Sequence, residues 1–277
     1  MMSCGGGGST DKPQEDTTSE SSEVKEKLEK VLTGVPKPSE MPYQIKSTGA
    51  EFDEKLPNPP AMVEKYKTTK NKAALNLGVY ASDIGYVSVF GQVQNAINYI
   101  NSATQLADNL GISNAFDPKV KERFEKNLKN IDTLTNIINE AVAKSDDFLK
   151  KSEKGSIAAM MFAGTFVEGL YIATQIVDSY PDDLLPKDAK NEILSGMARL
   201  ITEQDKPLND LIAALKTVEK QEDTDKLIAQ LEDLAKLYKS LNIREKIEKN
   251  QGNLILTDET IKGITAKVKE IRSGIVG

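Results

Sequence analysis

Asp83 and Tyr86 stand three residues apart, and Glu168 and Tyr171 repeat that spacing. On a helix, residues three apart share a face. Each pair therefore offers a carboxyl group and a phenol side by side. Both acids interrupt stretches that are otherwise apolar, where a leucine would be the cheaper filler. A buried carboxylate without a partner is costly, so each acid must be protonated, paired or hydrogen-bonded. If the two helices pack together, the two carboxylates and two phenols could line one polar pocket. Such a pocket could move protons or hold a hard cation through its oxygens. The other reading has each acid bonded to a nearby Tyr or Lys, or reaching solvent at a helix edge.

Other chemistry is thinly represented. The 277 residues contain no histidine and one cysteine. That removes the usual neutral-pH acid and base, the triad base and the commonest transition-metal ligand. A ferritin-like di-metal site in its usual form is excluded with them. No phosphate-binding glycine loop, zinc motif, calcium loop or serine elbow is present. The reading is therefore no catalytic residue, no metal and no cofactor assigned. Net charge is −6, and the first sixty positions hold 7 Lys against 11 acidic residues, so the remainder is close to neutral. It lacks the basic footprint of a nucleic-acid binder.

The elements that would carry the two pairs are helical throughout. From Ala61 onward the pattern predicts an all-α bundle of five or six helices, following a disordered N-terminal tether. The expected division is residues 1–60 as tether and 61–277 as bundle. Met62 to Leu110 reads as a long helical stretch in one or two pieces, with a seam through Val79, Asp83, Tyr86, Phe90, Val93, Ile97 and Ile100. Gly111 is a natural stop, and Asp117-Pro118 restarts a helix to about Ser152. Ser156 to Tyr180 is apolar nearly all round and should be the most buried element. Asp188 to Leu200 follows, with Pro207 implying a break near Asp205. Asp223 to about Ile247 and a last helix from Thr257 to near Gly274 complete the set. A shift of 85 residues superposes Leu75–Tyr86 on Met160–Tyr171, which suggests a duplicated helical unit.

Gly78, Gly85, Gly91, Gly164 and Gly169 fall inside these helices, where glycine costs roughly 1 kcal/mol against alanine. Close helix approach, or room for a ligand, would offset that cost. The amides Gln92, Gln94, Asn95, Asn98 and Asn101 suit a solvated face or contact with a sugar. No stretch approaches eighteen consecutive apolar residues, so no membrane-spanning helix is expected. The segment 35–60 carries Pro36, Pro38, Pro42, Pro57, Pro59 and Pro60. It reads as a linker, with docking of Met41 to Phe52 on the bundle as the alternative.

The one cysteine, Cys4, lies in Met2-Ser3-Cys4-Gly5 and precedes four glycines. This run resembles the processing site of bacterial lipoproteins, and its Cys-Gly start is similar to those of the Bacteroidota. Ser3 fits the small position before the cysteine, whereas Met1 and Met2 depart from the aliphatic and small residues of the pattern. The resemblance covers about ten residues and implies a diacylglycerol on the Cys4 thiol. It further implies attachment to a membrane at the periplasmic face of the outer membrane. Surface-exported members carry acids directly after the cysteine, but here the first, Asp11, comes seven residues later. An ordinary cytosolic start with an incidental cysteine is the other reading. Two function classes follow: a tethered, non-catalytic binding or scaffold module for a protein or small molecule, or an acid/base enzyme or cation sensor using Asp83 and Glu168.

Overall fold

The computed structural model describes residues 39–116, 119–128, 130–151, 154–180, 187–218, 221–241 and 259–277. Cys4, the tether to residue 38, Asp117-Pro118, Asp182 to Pro186 and the stretch 242–258 lie outside the described residues. The described chain is an all-α bundle. In order it forms α1 (Glu40–Ser47), a 3-10 helix (Pro60–Tyr66), α2 (Lys70–Val89) and α3 (Val93–Asn109). After a short 3-10 turn (Ser113–Ala115) come α4 (Val120–Lys126), α5 (Ile131–Lys151), α6 (Gly155–Asp178), α7 (Lys187–Thr202), α8 (Asp205–Leu215), α9 (Glu222–Ser240) and α10 (Glu259–Val276).

Local chemistry sets most of these boundaries. The Thr69 side chain accepts the Lys72 N–H at 3.1 Å and starts α2. Gly91, at φ +76°, breaks α2 from α3, so the long stretch comes in two pieces and this glycine sits in the break instead of a helix interior. The helix expected to run unbroken to Ser152 is also divided. Asn127 Nδ2 bonds back to the Arg123 carbonyl at 2.7 Å, and Asn130 Oδ1 accepts the Thr133 N–H at 3.0 Å. Both side chains compete with a continuing helix. Pro207 falls in the first turn of α8, where its missing N–H has no intrahelical use.

α6 is the hub, packed against α1, α2, α5, α7, α8 and α10. Among the described residues it is the one helix long and apolar enough to cross a membrane, and 72% of its apolar window is buried within the fold. Its composition, which a search for uninterrupted apolar runs passes over, reflects burial on nearly all sides. Its closest partner is α2. A Cβ on Gly78 would lie 1.9 Å from the Met161 carbonyl oxygen, and one on Gly164 would lie 1.9 Å from that of Leu75. Thr165 Oγ1 also donates to the Gly78 carbonyl at 3.1 Å. Contacts climb both helices together, from Leu75–Gly164 to Ser82–Gly169, so the two run parallel. Residue numbers across the contact differ by 83 to 89, bracketing the 85-residue offset seen in the sequence.

The packed body begins earlier than residue 61. Met41, Ile45, Ala50 and Leu56 are all buried in the common core. Pro42 lies in the first turn of α1, a place that tolerates proline, so the prolines of this segment do not prevent a short helix. Residues 39–60 therefore form a docked arm, and the boundary expected at residue 60 moves to the start of α1.

Candidate functional site

Asp83 on α2 and Glu168 on α6 come together because the glycine contact brings their helices close and parallel. Both are fully buried, at 0% exposure. The Glu168 carboxylate lies within hydrogen-bonding reach of Asp83. A third residue, which the sequence reading did not single out, completes the cluster. Arg272 on α10 grips Glu168 with two hydrogen bonds, Nε to Oε2 at 2.8 Å and Nη2 to Oε1 at 2.9 Å. This planar fork-to-carboxylate geometry is the strong form of the pair. The same Nη2 reaches the Leu56 carbonyl at 3.3 Å.

Asp83 is held differently. Its Oδ2 accepts the Asn58 N–H at 3.2 Å, and its buried Oδ1 has no hydrogen-bond partner among the described residues. Burial, and next the Glu168 charge, push the Asp83 pKa well above the usual carboxylate range, against the opposing pull of Arg272 and the Asn58 N–H. A proton on Asp83 accounts for the raised pKa, since a neutral carboxyl group can sit beside the Glu168 carboxylate and donate to it. The cluster is then neutral: one carboxylate, one guanidinium and one carboxylic acid. Burial works against the Arg272 charge, but the Glu168 carboxylate outweighs it and raises the Arg272 pKa further.

The two tyrosines part company. Tyr171 joins the cluster through its ring, which lies 4.1 Å from the Arg272 guanidinium carbon. Tyr86 does not join it. Its hydroxyl accepts the Asp53 N–H at 2.9 Å, and its ring packs on Phe52 and Phe90 with centroids 5.2 and 5.0 Å away. The shared pocket of two acids and two phenols expected from the spacing is thus two acids, one arginine and one ring face. Burial, partly offset by the Asp53 N–H, pushes the Tyr86 pKa up to about 12.

These side chains answer a need of the backbone. Residues 53–59 are irregular, and most of their backbone polar groups lack a partner in regular secondary structure. Tyr86 meets Asp53 N, Arg272 meets Leu56 O and Asp83 meets Asn58 N. Tyr80 donates to Pro59 O at 3.1 Å and Ser102 to Pro60 O at 3.0 Å. The Asn58 side chain exchanges hydrogen bonds with the Tyr66 hydroxyl at 3.0 and 3.1 Å. A proline-rich segment that must be buried was the available signal for such partners. Arg272, one of four arginines in the chain, was legible only as a charge next to Ile271 and Ile275 in an apolar seam.

Among the described residues no cluster of three or more acid or thiol groups is arranged to hold a metal ion. Of the amide run, Asn95 and Asn98 edge a concavity of about 250 Å³ beside Phe52 and Tyr99. No protein-family model, curated protein or solved structure matches this chain.

Proposed function

We propose that this chain is a lipid-anchored envelope protein, held through Cys4 at the periplasmic face of the outer membrane, whose helical body is a non-catalytic binding or scaffold module. The anchor half rests on the residues around Cys4. The observation that carries the non-catalytic half is the closure of the acid cluster. An acid–base step needs a carboxyl group within reach of a substrate proton. Here both acids have zero exposure, and the arm and Arg272 cover them. Cation sensing is weakened by the same geometry. Arg272 already occupies both Glu168 oxygens, which leaves Asp83 Oδ1 where a hard cation takes about six or more oxygens.

Metabolic labelling with a fatty-acid analogue tests the anchor. Wild type should be tagged and sediment with membranes, whereas Cys4→Ser should do neither. A Cys4→Ser protein that stays labelled and membrane-bound overturns it. For the module, Asp83→Asn at wild-type abundance should retain the cross-linked partners of the wild type. A turnover of any substrate that Asp83→Asn abolishes while the fold and partners persist would return the acid/base reading.

A further inference from the structure

We propose that a cleft bounded by α2, α3, α4 and α5, with Met161 of α6 in its inner wall, binds a linear aliphatic amphiphile with an anionic head. The cleft measures about 800 Å³, within the roughly 300–1,000 Å³ typical of small-molecule sites. Its inner wall is aliphatic, built from Leu77, Ile84, Ile100, Ile138 and Met161. The polar groups set among them are spent on their own helices. Ser145 Oγ donates to the Ala141 carbonyl at 2.8 Å, and Thr104 Oγ1 to that of Ile100 at 2.8 Å. The wall therefore offers a ligand apolar contact and few hydrogen bonds, which suits a hydrocarbon chain and penalises a ligand with polar groups along its body.

The mouth differs. Asn101, Asn114 and Lys121 line it and are exposed to solvent. Asp108, the acid at the same rim, accepts from the Ser113 hydroxyl through one oxygen and stands against Lys121 in the charge balance of the mouth. The donors of Asn101, Asn114 and Lys121 are the groups that would hold a carboxylate or phosphate head. A concave, mostly aliphatic cleft of this size with a few polar groups at its mouth has the make-up of a small-molecule site. This site is separate from the acid cluster and needs no lipid on Cys4, so its failure would leave the anchor reading untouched.

The experiment is displacement of a fluorescent fatty acid, 11-dansylaminoundecanoate, from the purified full chain by dodecanoate, dodecyl phosphate or dodecanol. Saturable one-site binding is expected, with the two anions displacing the probe at lower concentration than the alcohol. The better of the two anions identifies the head. Ala81→Phe fills the cleft and should weaken probe binding about tenfold or more, a loss of roughly 1.4 kcal/mol. Lys121→Glu should weaken the anions several-fold and leave dodecanol unchanged. Ala103→Phe, on the opposite wall, replaces Ala81→Phe if circular dichroism shows that the latter has lost helicity. Absence of saturable binding overturns the proposal, as does binding that neither cleft-filling variant affects. An unaltered preference in Lys121→Glu overturns the assignment of the head.

Discussion

At the residue scale, Glu168 and Arg272 illustrate how a buried ion pair differs from a surface one. Removing either partner strands a charge in the core, at a cost of about 3–5 kcal/mol. Replacing both by apolar residues of similar volume removes the desolvation penalty as well. Glu168→Leu and Arg272→Met should each lower denaturant stability by that amount, while the double variant should recover most of the loss; chemical denaturation of the four proteins gives the coupling. Asp83 makes a pH-dependent contribution of the opposite kind. Its folded pKa is raised, so the folded state holds a proton that the unfolded chain gives up near the ordinary value of 3.8. Its stabilising contribution is complete below that value and falls as pH rises toward the folded pKa, by at most about 1.4 kcal/mol per pH unit. Glu168, Arg272, Tyr66, Tyr80, Tyr99 and Tyr171 are the titratable groups that feel or set its charge. Asp83→Asn keeps an acceptor for Asn58 N–H and a donor toward Glu168 without a proton to lose. Melting curves from pH 4 to 8 should show a flatter slope for Asp83→Asn than for wild type. Parallel slopes would mean that Asp83 is ionised in the fold.

At the element scale, the parallel contact of α2 and α6 depends on two glycines. A methyl group at Gly78 or Gly164 would collide with backbone carbonyls that no side-chain rotation can clear. Gly78→Ala should therefore destabilise by about 1–3 kcal/mol or more, as overpacked cores do. Gly91→Ala meets no neighbour within 4 Å and carries only the strain of its positive φ, about 1–2 kcal/mol. Because it leaves the α2–α6 contact untouched, Gly91→Ala should leave the Asp83 pH profile intact, whereas Gly78→Ala should alter it. The sequence made the helices legible because 3.6-residue periodicity and glycine or proline breaks are local signals. It also marked Asp83 and Glu168, since an acid in an apolar seam breaks a local rule. Arg272 was not legible: its partners lie 104 and 216 residues away, and no spacing encodes such a contact. Tyr86 was misassigned for a related reason. Sharing a helix face with Asp83 left open whether its hydroxyl would turn to the acid or to the arm.

At the scale of the whole molecule, the docked arm is part of the core. It contributes Met41, Ile45 and Leu56 as apolar surface, and Asn58 N and Leu56 O as partners for the acid cluster. Truncation at Pro60 should expose that cluster and lower the melting temperature or abolish cooperative unfolding. Limited proteolysis of the intact chain should correspondingly spare residues 40–60. Preserved cooperativity after truncation would return this segment to the status of a linker. The prolines that made it look like a spacer instead fix an irregular path whose backbone groups need side-chain partners, and α2 supplies three of them through Tyr80, Asp83 and Tyr86.

Arg272 joins α10 to Glu168 at the hub, 104 residues away, and to Leu56 in the arm, 216 residues away, closing long loops in the bundle. Helical bundles are ordinarily rapid folders because their contacts are local, and loop closure over such separations is what slows a chain. Until the guanidinium arrives, pairing α2 with α6 would bury the Glu168 carboxylate with no cation beside it, which is costly. The charge pattern thus favours helices first, by local contacts, and firm packing of the central parallel pair once the last helix brings the cation. A chain that ends before residue 272 should accordingly keep its helices but pack α2 against α6 only loosely, with helicity retained and the cooperative melt lost.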